Sequence, residues 1–156
     1  MREYLGGPED AKCFALRYEE GRRAQERAVQ AIRRRARGRI VDIGCAEGAL
    51  TAAMGAIAGV DKDADNTRWA KAAFPGIDFY TCDIQRCPLP AKYDTIVLCR
   101  SLHEFSAPRT VLRNLRRSLA QGGNLLVVEQ AGYAGRMGTH LLAAGYTVLE
   151  ALSLGI

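Results

Sequence analysis

Residues 41 to 48 read Val-Asp-Ile-Gly-Cys-Ala-Glu-Gly. Asp42 stands between two apolar residues, and Gly44 and Gly48 follow it, with no proline in the stretch. A carboxylate just ahead of a glycine turn can face a cation or accept from a hydroxyl, and the glycines let backbone approach a ligand closely. A second apolar run ends in Val60-Asp61-Lys62-Asp63, and a third is followed by Cys82-Asp83-Ile84. An acid at the first of these places can accept from both hydroxyls of a ribose. An acid at the second can accept from the exocyclic amine of a purine. A fourth run is followed by Arg100-Ser101-Leu102-His103-Glu104-Phe105. His103 there is a candidate base or substrate ligand, with Ser101 and Glu104 beside it.

These groups converge only if the apolar runs are neighbouring strands. Residues 8 to 37 carry a helical stripe at Ala24, Ala28, Ala31 and Ile32, with Gly21 as an expected break and Gly38 as the end. Arg39–Ile43 is a β-branched run and reads as a buried strand. Strands are likewise expected at 57–60, 77–81, 93–99, 124–128 and 146–154. Helices are expected at 49–54, 64–73, 108–119 and 139–144, with Gly122-Gly123 stopping the third. Alternating strands and short helices predict a doubly wound, mostly parallel Rossmann-like α/β sheet of about six strands with helices on both faces. The division expected is an N-terminal helical segment, 1–37, serving as lid or flank, and a ligand-binding domain, 38–156. In such a sheet ligands bind beyond the carboxyl ends of the strands, where the strand order reverses.

Composition narrows the function classes. The 156 residues are 48% apolar, which suits one domain with a full core. No run of 18 uncharged apolar residues occurs, so no membrane span is expected, and the N-terminal decapeptide lacks signal-peptide character. Five cysteines without a CxxC pair argue against a disulfide framework and against zinc, and they read as free thiols in the cytoplasm. Arginines outnumber lysines 18 to 4, with nine between Arg17 and Arg39. Glu19, Glu20 and Glu26 are interleaved there, which favours a solvated helix face over a phosphate-binding surface.

A turn, a ribose acceptor and a purine acceptor together fit a nucleoside-bearing cofactor. A dinucleotide fingerprint needs G-x-G-x-x-G around a pyrophosphate, but from Gly44 the chain reads G-C-A-E-G-A. With Asp42 ahead of the turn and Glu47 inside it, the lining is acidic and suits a cation better than a phosphate. S-adenosylmethionine is such a ligand, with a sulfonium, an ammonium and no phosphate.

The chain resembles the class I S-adenosylmethionine-dependent methyltransferases. Ile-Val-Asp-Ile-Gly-Cys-Ala-Glu-Gly-Ala-Leu-Thr is similar to their first motif, Gly-Val-Asp-Lys-Asp to the second and Thr-Cys-Asp-Ile-Gln to the third. Tyr93–Phe105 and residues 112–130 resemble the fourth and fifth strands with their flanks, so the likeness covers about 38 to 150 in order. The resemblance implies that Asp42, Gly44, Cys45, Ala46 and Gly48 hold the methionine end. It implies Asp61 and Lys62 at the ribose, Asp83 and Ile84 at the adenine, Arg100 nearby, and S-adenosylhomocysteine as product. Ser101, His103 and Glu104 would meet the methyl acceptor.

Three departures from the family pattern stand out. Ala46 replaces a customary glycine, which is tolerable if its φ is negative. The space between Gly48 and Asp61 allows a first helix of only about two turns. The family's final antiparallel strand has no room, which leaves a sheet edge suited to a homodimer. No Asn/Asp-Pro-Pro-aromatic motif and no Pro-Cys nucleophile follows the fourth strand, so a small-molecule acceptor is expected. Methylation of RNA or protein through an open basic face, or a non-catalytic cofactor-binding subunit, is the alternative.

Overall fold

The computed structural model describes residues 8–129 and 131–143. Helix α1 (Pro8–Arg35) leads into β1 (Ile40–Ile43), α2 (Ala49–Met54), β2 (Ala58–Asp61), α3 (Ala64–Ala73), β3 (Asp78–Thr81) and β4 (Tyr93–Cys99). A 3-10 turn (Leu102–Glu104), α4 (Pro108–Ser118), β5 (Leu119–Val128) and α5 (Ala131–Ala143) follow. The sheet runs in the order β3-β2-β1-β4-β5 and every pairing is parallel. The order reverses between β1 and β4, so their carboxyl ends open a crevice. The described sheet has five strands against about six expected, and the strand expected at 146–154 lies outside the described residues, as does the dimer edge assigned to it.

The central strands are apolar on both faces because helices cover both. Val41, Ile43, Val60, Ile96 and Leu98 pack on one side with Val111, Leu112 and Leu115 of α4. Ala28 and Ile32 of α1 pack on the other with Ile40, Met54, Val97 and Val128. The stripe read at i and i+4 along α1 is therefore its buried face. Gly21 does not interrupt that helix, since one exposed glycine costs only about 1 kcal/mol.

Two further elements differ from expectation. Helix α4 ends at Ser118, and β5 starts at once. Leu119 pairs with Tyr93, while the next pair is Thr95 with Asn124. Residues 120–123 are thus looped out of the ladder as a bulge. Gly122 takes φ +72, and a Cβ on Gly123 would lie 3.0 Å from the Asp94 carbonyl oxygen. The double glycine serves this bulge rather than a helix stop. Helix α5 begins at Ala131, not 139, so the glycine-rich 131–138 segment is helical.

A disulfide joins Cys82 to Cys87, while Cys45 and Cys99 are buried free thiols. The expectation of free thiols is corrected for this pair. An odd total of cysteines excludes a fully paired framework but not one local bridge. Five residues of separation across the turn after β3 bring the two α-carbons to 6.4 Å. No helix among the described residues is long and apolar enough to cross a membrane.

Candidate functional site

A cavity of about 590 Å³ opens at the carboxyl ends of β1, β2 and β4. Most of its wall comes from four segments that the sequence scatters, 42–47, 60–63, Cys82 with Ile84, and 99–105 apart from Leu102, with Ala49, Leu50 and Asn66 added from α2 and α3. Helix α1 adds Gln25, which gives the N-terminal segment a place at the site. Asp42, Gly44, Cys45, Ala46, Asp61, Lys62, Ile84, Arg100, Ser101, His103 and Glu104 all line it. Gly48 and Asp83 do not.

The turn after β1 is closed on itself. Gly44 and Cys45 both donate their N–H to the Val60 carbonyl, at 2.8 and 3.1 Å, and Gly48 donates to the Cys45 carbonyl at 3.0 Å. The Ala46 N–H reaches across to Asp61 Oδ2 at 2.9 Å. Asp61 Oδ1 accepts from the Asp63 N–H at 2.9 Å. Asp61 thereby ties the end of β2 to the turn of β1, and each of its oxygens keeps lone-pair capacity toward the cavity. Asp63 caps α3, accepting from the Asp65 N–H at 2.8 Å.

Ala46 has φ +47, contrary to the negative value that would have made its methyl easy to place. The left-handed region costs an ordinary residue about 1–2 kcal/mol, and the bond to Asp61 holds it there. Arg100 is a second such residue, at φ +55, where β4 leaves the sheet. Its N–H donates to the Val128 carbonyl at 2.7 Å.

Gly44 and Gly48 are required by packing against the protein. At Gly44, φ is +76 and a Cβ would lie 2.7 Å from the Ser101 Cβ. At Gly48, φ is +84 and a Cβ would lie 2.7 Å from the Phe79 ring. The close approach that Gly48 permits is therefore to β3, not to a ligand. Ser101 is buried, and its Oγ donates to the Ile43 carbonyl at 2.7 Å. It fastens β4 to β1 under the turn.

Asp42 is buried, and its Oδ2 accepts from the Thr51 hydroxyl at 2.7 Å. Burial raises its pKa from 3.8 to about 6; the Thr51 bond opposes the rise and the Asp61 charge adds to it. Burial, with the Asp42 charge next, also pushes the Cys45 thiol up to about 12 and the Cys99 thiol up to about 11. Both stay neutral near pH 7 and are poor nucleophiles.

Asp83 turns back into its own loop. Its Oδ1 accepts from the Gln85 N–H at 3.0 Å, and its Oδ2 lies 3.6 Å from Arg86 Nε. The neighbouring Ile84 is buried and faces the cavity.

His103 has a partner that the sequence reading did not single out. Its Nδ1 lies 2.7 Å from Glu129 Oε2, and its backbone N–H donates to Glu129 Oε1 at 3.2 Å. Glu129 follows β5 directly and its side chain is 2% exposed. The His103 ring stacks on Tyr133 of α5, centroids 4.4 Å apart. An acid just past an apolar strand, as at Asp61, is the one local signal Glu129 gives, and it does not show that the side chain is buried.

The lining fits a nucleoside-bearing cation better than a phosphate. Asp42, Glu47, Asp61 and Asp63 face it against Lys62 and Arg100. The amides of residues 44, 45, 46 and 48, which would cradle a pyrophosphate, are already taken.

Comparison with known proteins agrees with this geometry. Residues 41–127 match a sequence model of the family described as "Methyltransferase domain". The protein named "Putative methyltransferase 235L" from Invertebrate iridescent virus 6 is 36% identical over 95 residues, covering 57% of this chain and 36% of its own length. This chain thus spans about a third of that relative. A TehB-like S-adenosylmethionine-dependent methyltransferase from Corynebacterium glutamicum superposes with a TM-score of 0.62 at 23% identity, covering 88% of this chain and 82% of that one. The N-methyltransferase NodS from Bradyrhizobium japonicum, solved with S-adenosylhomocysteine, superposes with a TM-score of 0.58 at 23% identity, over 69% and 60% of the two chains. At these identities the two structures speak for the fold.

Proposed function

Since the chain belongs to the class I S-adenosylmethionine-dependent methyltransferase family, we propose that it transfers a methyl group from that cofactor to a small-molecule acceptor. The observation that carries this reading is the acid-lined cavity at the switch point, with Asp61 bound to the Ala46 amide across its floor. When bound, the cofactor supplies a methyl group on a positively charged sulfur, an electrophile already activated. The chain's task is then to bind, to orient and to exclude water.

Asp61, with lone pairs left on both oxygens, accepts from the ribose hydroxyls. Asp42, ionised above pH 6, neutralises the cationic end, with Gly44, Cys45 and Ala46 beside it. Ile84 and Cys82 pack on the adenine, and Asp83 shapes their loop from behind. Lys62 and Arg100 flank the cavity, while His103 and Glu104 stand on the acceptor's side. A volume of about 590 Å³ lies in the usual range for small ligands, and NodS, which carries S-adenosylhomocysteine on the same fold, supports the cofactor assignment.

Calorimetric titration of S-adenosylmethionine and S-adenosylhomocysteine tests the reading. Micromolar binding is expected, weakened at least about tenfold in Asp61→Ala, which loses charge-assisted bonds worth about 1.5–3 kcal/mol each. Absence of binding to the wild-type chain would refute the assignment.

A further inference from the structure

We infer that Glu129 positions His103 as a general base, and that the methyl acceptor of this site is accordingly a phenolic hydroxyl. This rests on the methyl-transfer reading above.

The grip is two-pronged. One carboxylate accepts the His103 backbone N–H at 3.2 Å and pairs with Nδ1 of the same residue at 2.7 Å. The position of the loop and the rotation of the ring are thus set together. Tyr133 covers one face of the ring, its plane inclined by 14°. A carboxylate oxygen accepts, so the pairing favours the tautomer with its proton on Nδ1; Nε2 is then the ring nitrogen left to act, and His103 lines the cavity. The carboxylate that holds the ring is itself 2% exposed. A ring that needed only to fill space would not require a buried anion.

The chemistry of the acceptor follows. A tertiary amine or a carboxylate attacks a sulfonium methyl with no proton to lose, so a base adds nothing. A hydroxyl must lose its proton as it attacks. The acceptor oxygen bonds to the methyl carbon, the carbon–sulfur bond breaks with its electron pair left on sulfur, and the O–H proton passes to His103 Nε2. A phenol, with a pKa of about 10, is far closer to imidazole than an aliphatic alcohol is. Phe105 beside His103 in the wall supplies an apolar surface for its ring.

The decisive measurement is the tautomer of His103. Long-range proton–nitrogen correlation on histidine-labelled protein saturated with S-adenosylhomocysteine reads it, above the range where imidazole is charged. With two histidines in the chain, His140→Gln assigns the signals. The inference expects Nδ1–H with a bare Nε2 in the wild type, and loss of that preference in Glu129→Leu. An Nε2–H tautomer in the wild type would overturn it, because such a ring cannot accept the proton. In parallel, radiolabelled methyl transfer is followed to a panel of phenols, aliphatic alcohols and amines. His103→Gln is expected to lower kcat on phenols by about 100-fold or more. Glu129→Gln, which keeps the shape without the charge, is expected to lower it less, with KM and S-adenosylhomocysteine affinity held within about threefold. Turnover confined to amines, or His103→Gln within about threefold of wild type, would also overturn the inference. Titration of S-adenosylhomocysteine into the same samples separates the two readings: no binding defeats the cofactor assignment, whereas binding with the wrong tautomer defeats only the base.

Discussion

Replacing Asp42 by Asn should remove a loss of stability that the wild type suffers as pH rises. The carboxyl is 3% exposed, and its pKa is raised from 3.8 to about 6, chiefly by burial. The unfolded chain releases this proton near pH 4, and the folded chain keeps it until about pH 6. Between those values the folded state binds more protons, so stability falls as pH rises through the window and the loss is complete above it. A rise of that size corresponds to about 3 kcal/mol. Asparagine cannot ionise and keeps an oxygen for the Thr51 hydroxyl. Any penalty for burying its new NH2 group does not vary with pH. Urea denaturation of both proteins at pH 4, 5, 6 and 7 isolates the titrating part as the change in the difference between them. Part of that change lies below pH 4, so the expected result is a variant that gains on the wild type by about 2 kcal/mol from pH 4 to pH 7. A difference that stays constant across the range would refute the reasoning.

The same carboxylate should couple to the ligand: S-adenosylhomocysteine affinity of the wild type should drop as pH falls below about 6, by at most tenfold per unit, and calorimetry on Asp42→Asn should give a flatter profile. Gly48→Ala combines φ +84 with a Cβ 2.7 Å from the Phe79 ring, whereas Gly55→Ala, at φ +77, meets nothing within 4 Å; the first should cost clearly more than the roughly 1–2 kcal/mol of backbone strain expected for the second, and equal unfolding midpoints would show that the Phe79 contact is not as described. Reducing the Cys82–Cys87 bridge should lower stability by about 2 kcal/mol for so short a loop, and an unchanged midpoint under reductant would count against a formed disulfide.

Much of the site was readable because its acids stand at strand ends. Asp42 is the penultimate residue of β1, Asp61 closes β2 and His103 lies four residues past β4, and in a parallel sheet such ends share one rim. Helix boundaries were readable where a cap or breaker marks them, as with Asp63 before α3 and Pro108 at the start of α4. What stayed hidden depends on contacts far apart in the chain. The bond from Ala46 to Asp61 crosses 15 residues, and it accounts for a left-handed alanine that spacing alone could not predict. Gly48 carried a glycine's signal, but only the position of Phe79 reveals which neighbour comes close. Asp83 looked like Asp61 in the sequence, yet the turn it nucleates bends it away. Glu129 pairs with a residue 26 positions earlier, and nothing local distinguishes it from an exposed acid at a strand end.

The placement of these acids explains why the site is built at a cost to stability. A buried carboxylate with a raised pKa, a left-handed Ala46 and a left-handed Arg100 each oppose folding, and all three lie on the rim of one cavity. Strain and perturbed acidity gather where the surrounding structure over-determines them and where a ligand repays them on binding. Cation binding would return to Asp42 the compensation that water gives it in the unfolded chain. The turn amides, by contrast, are satisfied without a ligand, so the turn is already set before anything binds. The result is a preset turn beside a cavity whose lining holds more carboxylates than cations, which favours a cationic ligand and disfavours a phosphate at the same place.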